Sequence, residues 1–351
     1  MLKLRRDGVV LASTKNIFEN KSVLNPAVYQ DGETVHIIYR AISNNFISSL
    51  GYARLDGPTK VVERWTKPFL APELKYESKG VEDARITKIG DTFYLVYIVH
   101  DGKNALLAYS YGKDLFNLKR GGIISPKIQY AKAAKLFTHS KLKDDYYFFE
   151  AYYKEYAGKS VFVWDKDGFL FPEKIDGQFV LAHRILPDMQ LVYFNDFSEL
   201  KDVFFWGEYL MNLSKHVVLE GEQGWENRHV GGGAPPIKTK EGWLMIYHGT
   251  QEENEGRTYR GGAALFDLKN PRKLIAKLPY PILAPEKTYE LRGHVSEVVF
   301  PTGTAIFKNR LYVYYGAADS VVAVGSIELN KLLHELLKYR IKVSKKKQYA
   351  G

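Results

Sequence analysis

Residues 90–97 read Gly90-Asp91-Thr92-Phe93-Tyr94-Leu95-Val96-Tyr97, a polar turn followed at once by aromatic and aliphatic side chains that favour a β-strand. The same unit of turn and strand recurs along the chain at irregular intervals. Such recurrence predicts an all-β fold of the propeller type or a similar radial array, with long loops between some units. The other copies are residues 32–40, 145–150, 177–184, 242–248 and 309–315.

The organisation of the chain is predicted to be simple. No linker, low-complexity tract or change of composition divides residues 1–327, so these residues are predicted to form one domain. Helix is predicted only near the end, where residues 328–338 carry leucines at helical spacing. Residues 328–351 are therefore predicted to be an amphipathic helix and a basic tail. The leucine stripe must pack against the body or against a second subunit, which makes a homo-oligomer one expectation.

Composition excludes several classes of protein. The 351 residues are 45% hydrophobic and 26% charged, as in ordinary globular proteins, and none is cysteine, which excludes disulfides and thiolate metal sites. No metal and no cofactor are predicted. No apolar run is long enough to span a bilayer, so a cytoplasmic protein without a membrane partner is expected. Six of the net ten positive charges lie in one tail without acids, which argues against a nucleic-acid groove: Lys338, Arg340, Lys342, Lys345, Lys346 and Lys347.

The string Gly80-Val81-Glu82-Asp83-Ala84-Arg85 places two carboxylates and an arginine just ahead of the strand of residues 90–97. Arg85 can orient one carboxylate by a bidentate hydrogen bond, which leaves the other free to face a ligand. The alternative is a solvated turn with a surface ion pair.

Other strings are too specific for a bare scaffold. They are Lys166-Asp167-Gly168-Phe169 before a strand that ends at Arg184, Trp225-Glu226-Asn227-Arg228-His229 before three glycines, and Tyr314-Tyr315-Gly316-Ala317-Ala318-Asp319. In this order, together with residues 80–85, they resemble glycoside hydrolase family 130 from about residue 24 to residue 319. Within that family the chain looks most like the β-1,4-mannosyl-N-acetylglucosamine phosphorylases.

The resemblance implies a five-bladed β-propeller with its site on the central axis, and inverting phosphorolysis of a β-mannoside to α-mannose 1-phosphate. Asp83 matches the general acid of the family. The implied sugar-binding residues are Asn25, Arg40 and Asp319, with Glu82 and Tyr259 as further candidates. The implied phosphate-binding residues are Lys166, Arg184, His229 and His248, with Asp167 in the same region.

This assignment is chemically coherent. Hydrolysis with inversion needs an acid and a base, whereas phosphorolysis needs only the acid, because inorganic phosphate, the co-substrate, is already a nucleophile. Lys166 and Arg184 would hold that anion by charge-assisted hydrogen bonds. His229 stands where many members carry lysine, so we expect that contact to titrate near neutrality. Lys166-Asp167 stands where some members carry Arg-Asn.

Alternatives remain open from the sequence. Arg40 and Arg184 could form surface ion pairs, and His229 and His248 could be hydrogen-bonded core residues. A β-mannoside hydrolase would need a base, for which Glu226, Glu150 and Glu297 are candidates, and a non-catalytic sugar-binding propeller is a third reading. N-acetylglucosamine is the first acceptor expected from the resemblance, with residues 252–260 contributing to its site.

Overall fold

The computed structural model describes residues 1–253 and 256–341. Strands make up most of its regular secondary structure. In chain order they are β1 (Arg5–Leu11), β2 (Ser22–Asp31), β3 (Thr34–Ile42), β4 (Ser48–Asp56), β5 (Lys60–Arg64), β6 (Gly80–Ile89), β7 (Thr92–His100), β8 (Ala105–Gly112), β9 (Lys119–Ile123), β10 (Lys166–Leu170), β11 (Phe179–Arg184), β12 (Met189–Phe194), β13 (Val217–Leu219), β14 (His229–Gly232), β15 (Ile237–Lys238), β16 (Trp243–Glu253), β17 (Gly256–Phe266), β18 (Leu274–Lys277), β19 (Val299–Phe307), β20 (Arg310–Ala317) and β21 (Val321–Glu328). The α-helices are α1 (Tyr130–Phe137), α2 (Asp145–Ala157), α3 (Val203–Met211), α4 (Thr288–Leu291) and α5 (Leu329–Lys338).

The strands form five antiparallel groups. They are β2 to β5, β6 to β9, β10 to β13, β14 with β16 to β18, and β19 to β21 completed by β1; β15 adds to β16. A single parallel bridge between Ser48 and Gly80 joins the first two groups into one sheet. Since β1 pairs with β21, the N-terminal strand is the outer strand of the last group.

The groups contact one another in a ring. Among the first four groups, the first strands contact one another in order: β2 contacts β6, β6 contacts β10, and β10 contacts β14. The ring is completed because β17 of the fourth group contacts β19 of the fifth, and β19 contacts β2. Five apolar clusters separate successive groups: Leu95 and Ile38 lie in one such cluster, and Val96 and Leu181 lie in the next. Each sheet therefore buries both faces, which explains its dense aliphatic and aromatic content.

Two expectations about secondary structure were wrong. Residues 145–150 were predicted to be a strand, but they begin α2. Helix was expected only near the C-terminus, but α1, α2 and α3 lie well before it. Tyr146 and Phe149 are buried and Tyr153 packs against the neighbouring core, which is helical spacing. The aromatic run fits the two-residue period of a strand as well as the period of a helix. Packing, rather than the β-propensity of its residues, therefore decides that it forms a helix.

The C-terminal helix is present. In α5, Leu332 and Leu336 are fully buried in the cluster that β17, β20 and β21 line. Its leucine stripe is thus covered by the chain's own body, and a homo-oligomer stays a prediction. The basic tail beyond residue 341 lies outside the described residues. Among the described residues, no helix has the length and apolar content to cross a membrane.

Four of the five sheets each have a buried ionic cluster of the same kind. It is formed by a glutamate in the turn before the first strand, a tyrosine on the second strand and a cation on the outermost strand. In the first sheet, Glu19 accepts from the Tyr39 hydroxyl at 2.6 Å and from Arg64 Nη2 at 2.7 Å. Two counterparts have the same contacts, Glu226 with Tyr247 and Lys277, and Glu290 with Tyr315 and Arg6. In the second sheet Arg120 donates to both Glu77 and the Tyr97 hydroxyl.

Candidate active site

Residues from all five sheets meet at one cavity of about 990 Å³. Seven of the ten predicted site residues line it, and Glu82, His229 and His248 do not. The predicted proton donor, Asp83, and the predicted phosphate-binding cations, Lys166 and Arg184, therefore line one cavity. The lining side chains that carry the chemistry are Asn25, Arg40, Asp83, Lys166, Asp167, Arg184, Arg257, Tyr259, Glu297 and Asp319.

Three of these polar side chains reach the cavity from β-bulges. Asn25, Asp83 and Asp167 have φ angles of 47°, 47° and 55°, and each lies where the register of β2, β6 or β10 shifts. A bulge leaves a residue outside the ladder and re-aims its side chain. The left-handed conformation costs on the order of 1 kcal/mol for a non-glycine residue and is best tolerated by asparagine and aspartate. One backbone device thus turns a polar group toward the cavity in three successive sheets.

Asp83 is held but accessible. Its Oδ1 accepts a hydrogen bond from Asn25 Nδ2 at 2.9 Å and one from Arg40 Nη1 at 3.4 Å, and its side chain is 11% exposed. Within the described residues no hydrogen bond is formed at Oδ2, so that oxygen is free to bond a ligand. This geometry suits a proton donor that acts on a bound carbohydrate.

Glu82 and Arg85 support this arrangement from behind. Glu82 is buried, and its Oε1 accepts from Arg40 Nη2 at 2.8 Å and from Ser48 Oγ at 3.3 Å, so it orients Arg40 rather than facing the cavity. The expectation that Arg85 pairs with a carboxylate was wrong. Arg85 is fully buried and donates to the main-chain carbonyls of Asp83, at 2.7 Å, and Gly233. It ties the bulge to the fourth sheet.

The predicted phosphate side is built on β10 and β11. Lys166 and Arg184 are register partners across these strands, and both side chains line the cavity. Arg184 Nε donates to Asp167 Oδ2. Burial disfavours the charged form of Arg184, but the Asp167 carboxylate outweighs burial and raises the pKa of Arg184. The site thus holds two cations and one carboxylate.

The two histidines lie behind this group. Burial lowers the pKa of His248 to about 3, and burial, aided by Arg184, lowers that of His229 well below its ordinary value. His229 Nε2 is 2.9 Å from Thr250 Oγ1, and His248 Nε2 is 3.7 Å from Asp167 Oδ2. The expected titration of His229 near neutrality is therefore not met, because the buried ring stays neutral. A neutral imidazole can still donate a hydrogen bond, so a role for either ring in phosphate binding stays a prediction.

Asp319 lies in the turn between β20 and β21 with a φ of 49° and lines the cavity. Burial raises the pKa of Asp319 to about 6; Arg40 opposes this rise and Asp83 adds to it. The carboxyl group of Asp319 therefore changes charge near pH 6.

This raised pKa makes a prediction about stability. We expect Asp319→Asn to increase the free energy of unfolding by about 1 to 2 kcal/mol at pH 8 and to change it little at pH 4. The protonated carboxyl favours the folded state, and that contribution is lost as the pH rises through about 6. Urea unfolding at both pH values measures the effect. An equal effect of the substitution at pH 4 and pH 8 would contradict the assignment.

The hairpin of β16 and β17 forms one wall. Arg257, Thr258 and Tyr259 line the cavity, whereas Asn254 and Glu255 of the predicted acceptor loop lie outside the described residues. Thr258 Oγ1 donates to Glu297 Oε2 at 2.9 Å, which joins this hairpin to the fifth sheet. Its contribution to acceptor binding stays a prediction.

The three candidate bases for hydrolysis have different positions. Glu226 and Glu150 do not line the cavity, and Glu226 is committed to its buried cluster with Tyr247 and Lys277. Glu297 does line the cavity. In residues 1–253 and 256–341, no group of three or more histidine or carboxylate side chains is arranged to hold a metal ion.

His294 and Phe300 line the cavity but were not predicted, and Asp167 was placed only in a general region. One signal could have located part of the site. An aromatic residue followed by glutamate precedes Asn25 and Asp83 by the same interval, since Glu19 and Glu77 each lie six residues before them.

Comparison with known proteins gives the family. A family model described as beta-1,4-mannooligosaccharide phosphorylase, glycoside hydrolase family 130, matches residues 5–338. Two similar curated proteins come from Thermoanaerobacter sp. One, a 1,2-beta-oligomannan phosphorylase, is 32% identical over 95% of this chain and 99% of its own length. The other, a beta-1,2-mannobiose phosphorylase, is 33% identical over 95% of this chain and 98% of its own.

A solved structure agrees with the fold. The beta-1,2-mannobiose phosphorylase from Listeria innocua, in complex with beta-1,2-mannobiose, superposes with a TM-score of 0.71 at 24% identity, over 95% of this chain and 98% of that one. The family model and the two relatives span nearly all of the described β-structure. The chain therefore belongs to glycoside hydrolase family 130.

Proposed function

We propose that this enzyme cleaves β-1,2-linked mannosides by inverting phosphorolysis and releases α-mannose 1-phosphate and a free sugar. The observation that carries the proposal is that Asp83, Lys166 and Arg184 line one cavity. Phosphorolysis requires a proton donor for the leaving oxygen and cations that hold phosphate, and these three side chains can fill those roles. Family membership adds the reaction class, and the names of the relatives add the linkage.

The proposed acceptor differs from the one expected from the sequence. The resemblance suggested β-1,4-mannosyl-N-acetylglucosamine, but both full-length relatives are named for β-1,2-linked mannose. We therefore propose mannose, or the end of a β-1,2-mannan chain, as the acceptor. The description of the family model names a β-1,4 linkage, so the linkage is a point that the experiment below must decide.

Named side chains can carry out each step of the proposed reaction. An oxygen of phosphate forms a bond to the anomeric carbon while the bond from that carbon to the acceptor oxygen breaks. The acceptor oxygen receives a proton that originates on Asp83; in this family the proton is expected to pass through a sugar hydroxyl. Arg40 and Asn25 fix the Asp83 carboxyl group during this transfer.

Phosphate is positioned by Lys166 and Arg184. Arg184 uses Nε for Asp167, which leaves its terminal nitrogens for oxygens of an anion. Holding the nucleophile in line with the anomeric carbon converts an intermolecular attack into a positioned one, which can be worth about 7 kcal/mol in favourable cases.

We also infer that the five sheets are the blades of a propeller. The closed ring of contacts from β2 through β19 back to β2, and the pairing of β1 with β21, support this inference. Such a ring brings the bulged first strands to one axis, where the cavity lies. The predicted cytoplasmic location and the single-domain boundaries stay predictions.

The decisive experiment measures consumption of β-1,2-mannobiose with and without inorganic phosphate. We expect the rate to be at least about tenfold higher with phosphate, and α-mannose 1-phosphate to be the product. The reverse reaction from α-mannose 1-phosphate, run against mannose, N-acetylglucosamine and glucose, then identifies acceptor and linkage. Equal rates with and without phosphate would refute phosphorolysis; efficient synthesis on N-acetylglucosamine alone would refute the proposed acceptor.

One observation favours hydrolysis as a second candidate. Asp167 and Glu297 place carboxylates in the cavity, and a carboxylate on the phosphate side could activate water instead. Hydrolysis would give mannose as the product and would not require phosphate, so the same experiment separates the two reactions.

A further inference from the structure

Asp167 is an anion in the part of the cavity that is proposed to bind an anion. Its side chain is 2% exposed, yet it lines the cavity between Lys166 and Arg184. Its Oδ2 faces Arg184 Nε and lies 3.7 Å from His248 Nε2. Among the described residues, Oδ1 receives no hydrogen bond, and it is not closed off from the cavity.

The neighbours of Asp167 keep it ionised. Burial alone would raise the pKa of Asp167, but the positive charges of Arg184 and Arg85 outweigh burial and lower it. The phenol of Tyr259 also faces this group and stays protonated, because burial raises its pKa. An ionised carboxylate can only accept hydrogen bonds, so its free oxygen requires a donor on the ligand.

Oxyanions differ in whether they offer such a donor. At neutral pH, hydrogen phosphate carries one P–OH group, and hydrogen arsenate is protonated in the same way. Sulfate has the same shape and charge but carries no hydrogen. A site that must donate and accept hydrogen bonds can therefore separate ions that a purely cationic site would bind alike.

We propose that the free oxygen of Asp167 accepts the P–OH hydrogen of hydrogen phosphate and so makes the site selective for protonated oxyanions over sulfate. The inference rests on the proposed phosphorolysis and names a specificity residue within it. Arg184 and Lys166 bind the unprotonated oxygens, one of which attacks the anomeric carbon. The P–OH proton stays on the phosphate, and the acceptor oxygen takes its proton from Asp83, so the reaction balances.

The discrimination is expected to be large. Sulfate in the same position would bring a lone pair against the Asp167 carboxylate in a water-poor site, leaving one acceptor facing another. Sites built around a hydroxyl of their ligand reject the analogue that lacks it by large factors. We expect sulfate to bind at least about 100-fold more weakly than phosphate.

Isothermal titration calorimetry of the full-length enzyme with phosphate, arsenate and sulfate tests the proposal without requiring turnover. Phosphate and arsenate should bind with dissociation constants within about tenfold of each other, and sulfate at least about 100-fold more weakly. In Asp167→Asn the amide can donate a hydrogen bond to sulfate. The affinity of this variant for sulfate should therefore be within about tenfold of its affinity for phosphate. Asparagine also accepts the left-handed backbone of this position.

Glu252→Gln is the matched control, because it removes a carboxylate that lines the same cavity but pairs with Arg228 and Arg257. It should keep the preference for phosphate. Wild-type enzyme that binds sulfate as well as phosphate, or no anion at all, would overturn the inference. So would unchanged selectivity in a folded Asp167→Asn variant, with folding judged by thermal unfolding. Selective phosphate binding without phosphate-dependent turnover would instead refute the proposed function alone.

Discussion

Asp83→Asn should lower the turnover of β-1,2-mannobiose by about 10³-fold while leaving its KM within a few-fold of the wild-type value. The substitution keeps the shape of the side chain and an oxygen that Asn25 and Arg40 can bond. It also keeps a residue type that tolerates the φ of 47° at this bulge. What it removes is the proton for the departing sugar, so the loss should fall on kcat.

The nature of the leaving group separates loss of an acid from loss of structure. A mannoside with a nitrophenol leaving group needs little protonation, so Asp83→Asn should retain far more activity on it than on the disaccharide. Initial rates on both substrates at saturating phosphate measure this difference. A variant with near-normal turnover of the disaccharide would remove Asp83 from the acid role.

Asp91→Asn is the control for this experiment. Asp91 is exposed in the turn between β6 and β7, the same two strands whose register shifts at Asp83. It removes one carboxylate from that hairpin without touching the cavity. Both variants should unfold at wild-type temperature, and Asp91→Asn should keep full turnover.

The recurring turn-and-strand units were enough to predict the β fold because every sheet buries both faces. Strands such as β7 and β20 then read as dense aliphatic and aromatic runs. The same density hid α2, whose aromatic residues satisfy a two-residue and a three-to-four-residue period at once. Only packing against α1 and β-strand neighbours decides between the two, and packing is not visible in a local string.

The sequence allowed most of the residues that line the cavity to be predicted, but not the exact role of each one. Asp83, Arg40 and Arg184 lie in recognisable strings, and all line the cavity. The string around Glu82 did not reveal which carboxylate turns inward, because that depends on a bulge that reverses the alternation of the strand. Burial, which neutralises His229 and His248, is likewise a property of the assembled sheets.

The buried glutamates were misjudged for a related reason. Glu226 was offered as a catalytic base, but it lies behind the fourth sheet, where its partners come from β16 and β18. Four turns contain an aromatic residue followed by glutamate. Comparing these four turns with one another would have shown that the glutamate belongs to a structural repeat. Glu19, Glu77 and Glu290 occupy the equivalent place in their own sheets.

Glu226→Ala should therefore reduce stability rather than remove a base. We expect the free energy of unfolding to fall by about 3 to 5 kcal/mol, because the substitution leaves a buried cation without its partner. Glu226 Oε2 accepts from Lys277 Nζ at 2.9 Å, and Oε1 accepts from the Tyr247 hydroxyl at 2.6 Å. Urea-induced unfolding followed by fluorescence and circular dichroism measures the change.

The same lysine supplies the control. Lys277 Nζ also lies 3.9 Å from the exposed carboxylate of Glu222, and Glu222→Ala should cost no more than about 1 kcal/mol. If the loss of stability in Glu226→Ala comes from the unpaired charge of Lys277, the double variant Glu226→Ala/Lys277→Met should lose less free energy of unfolding than the sum of the losses in the two single variants. Strict additivity would mean that the charge is not the cause. Wild-type stability with lost turnover in Glu226→Ala would return Glu226 to catalysis.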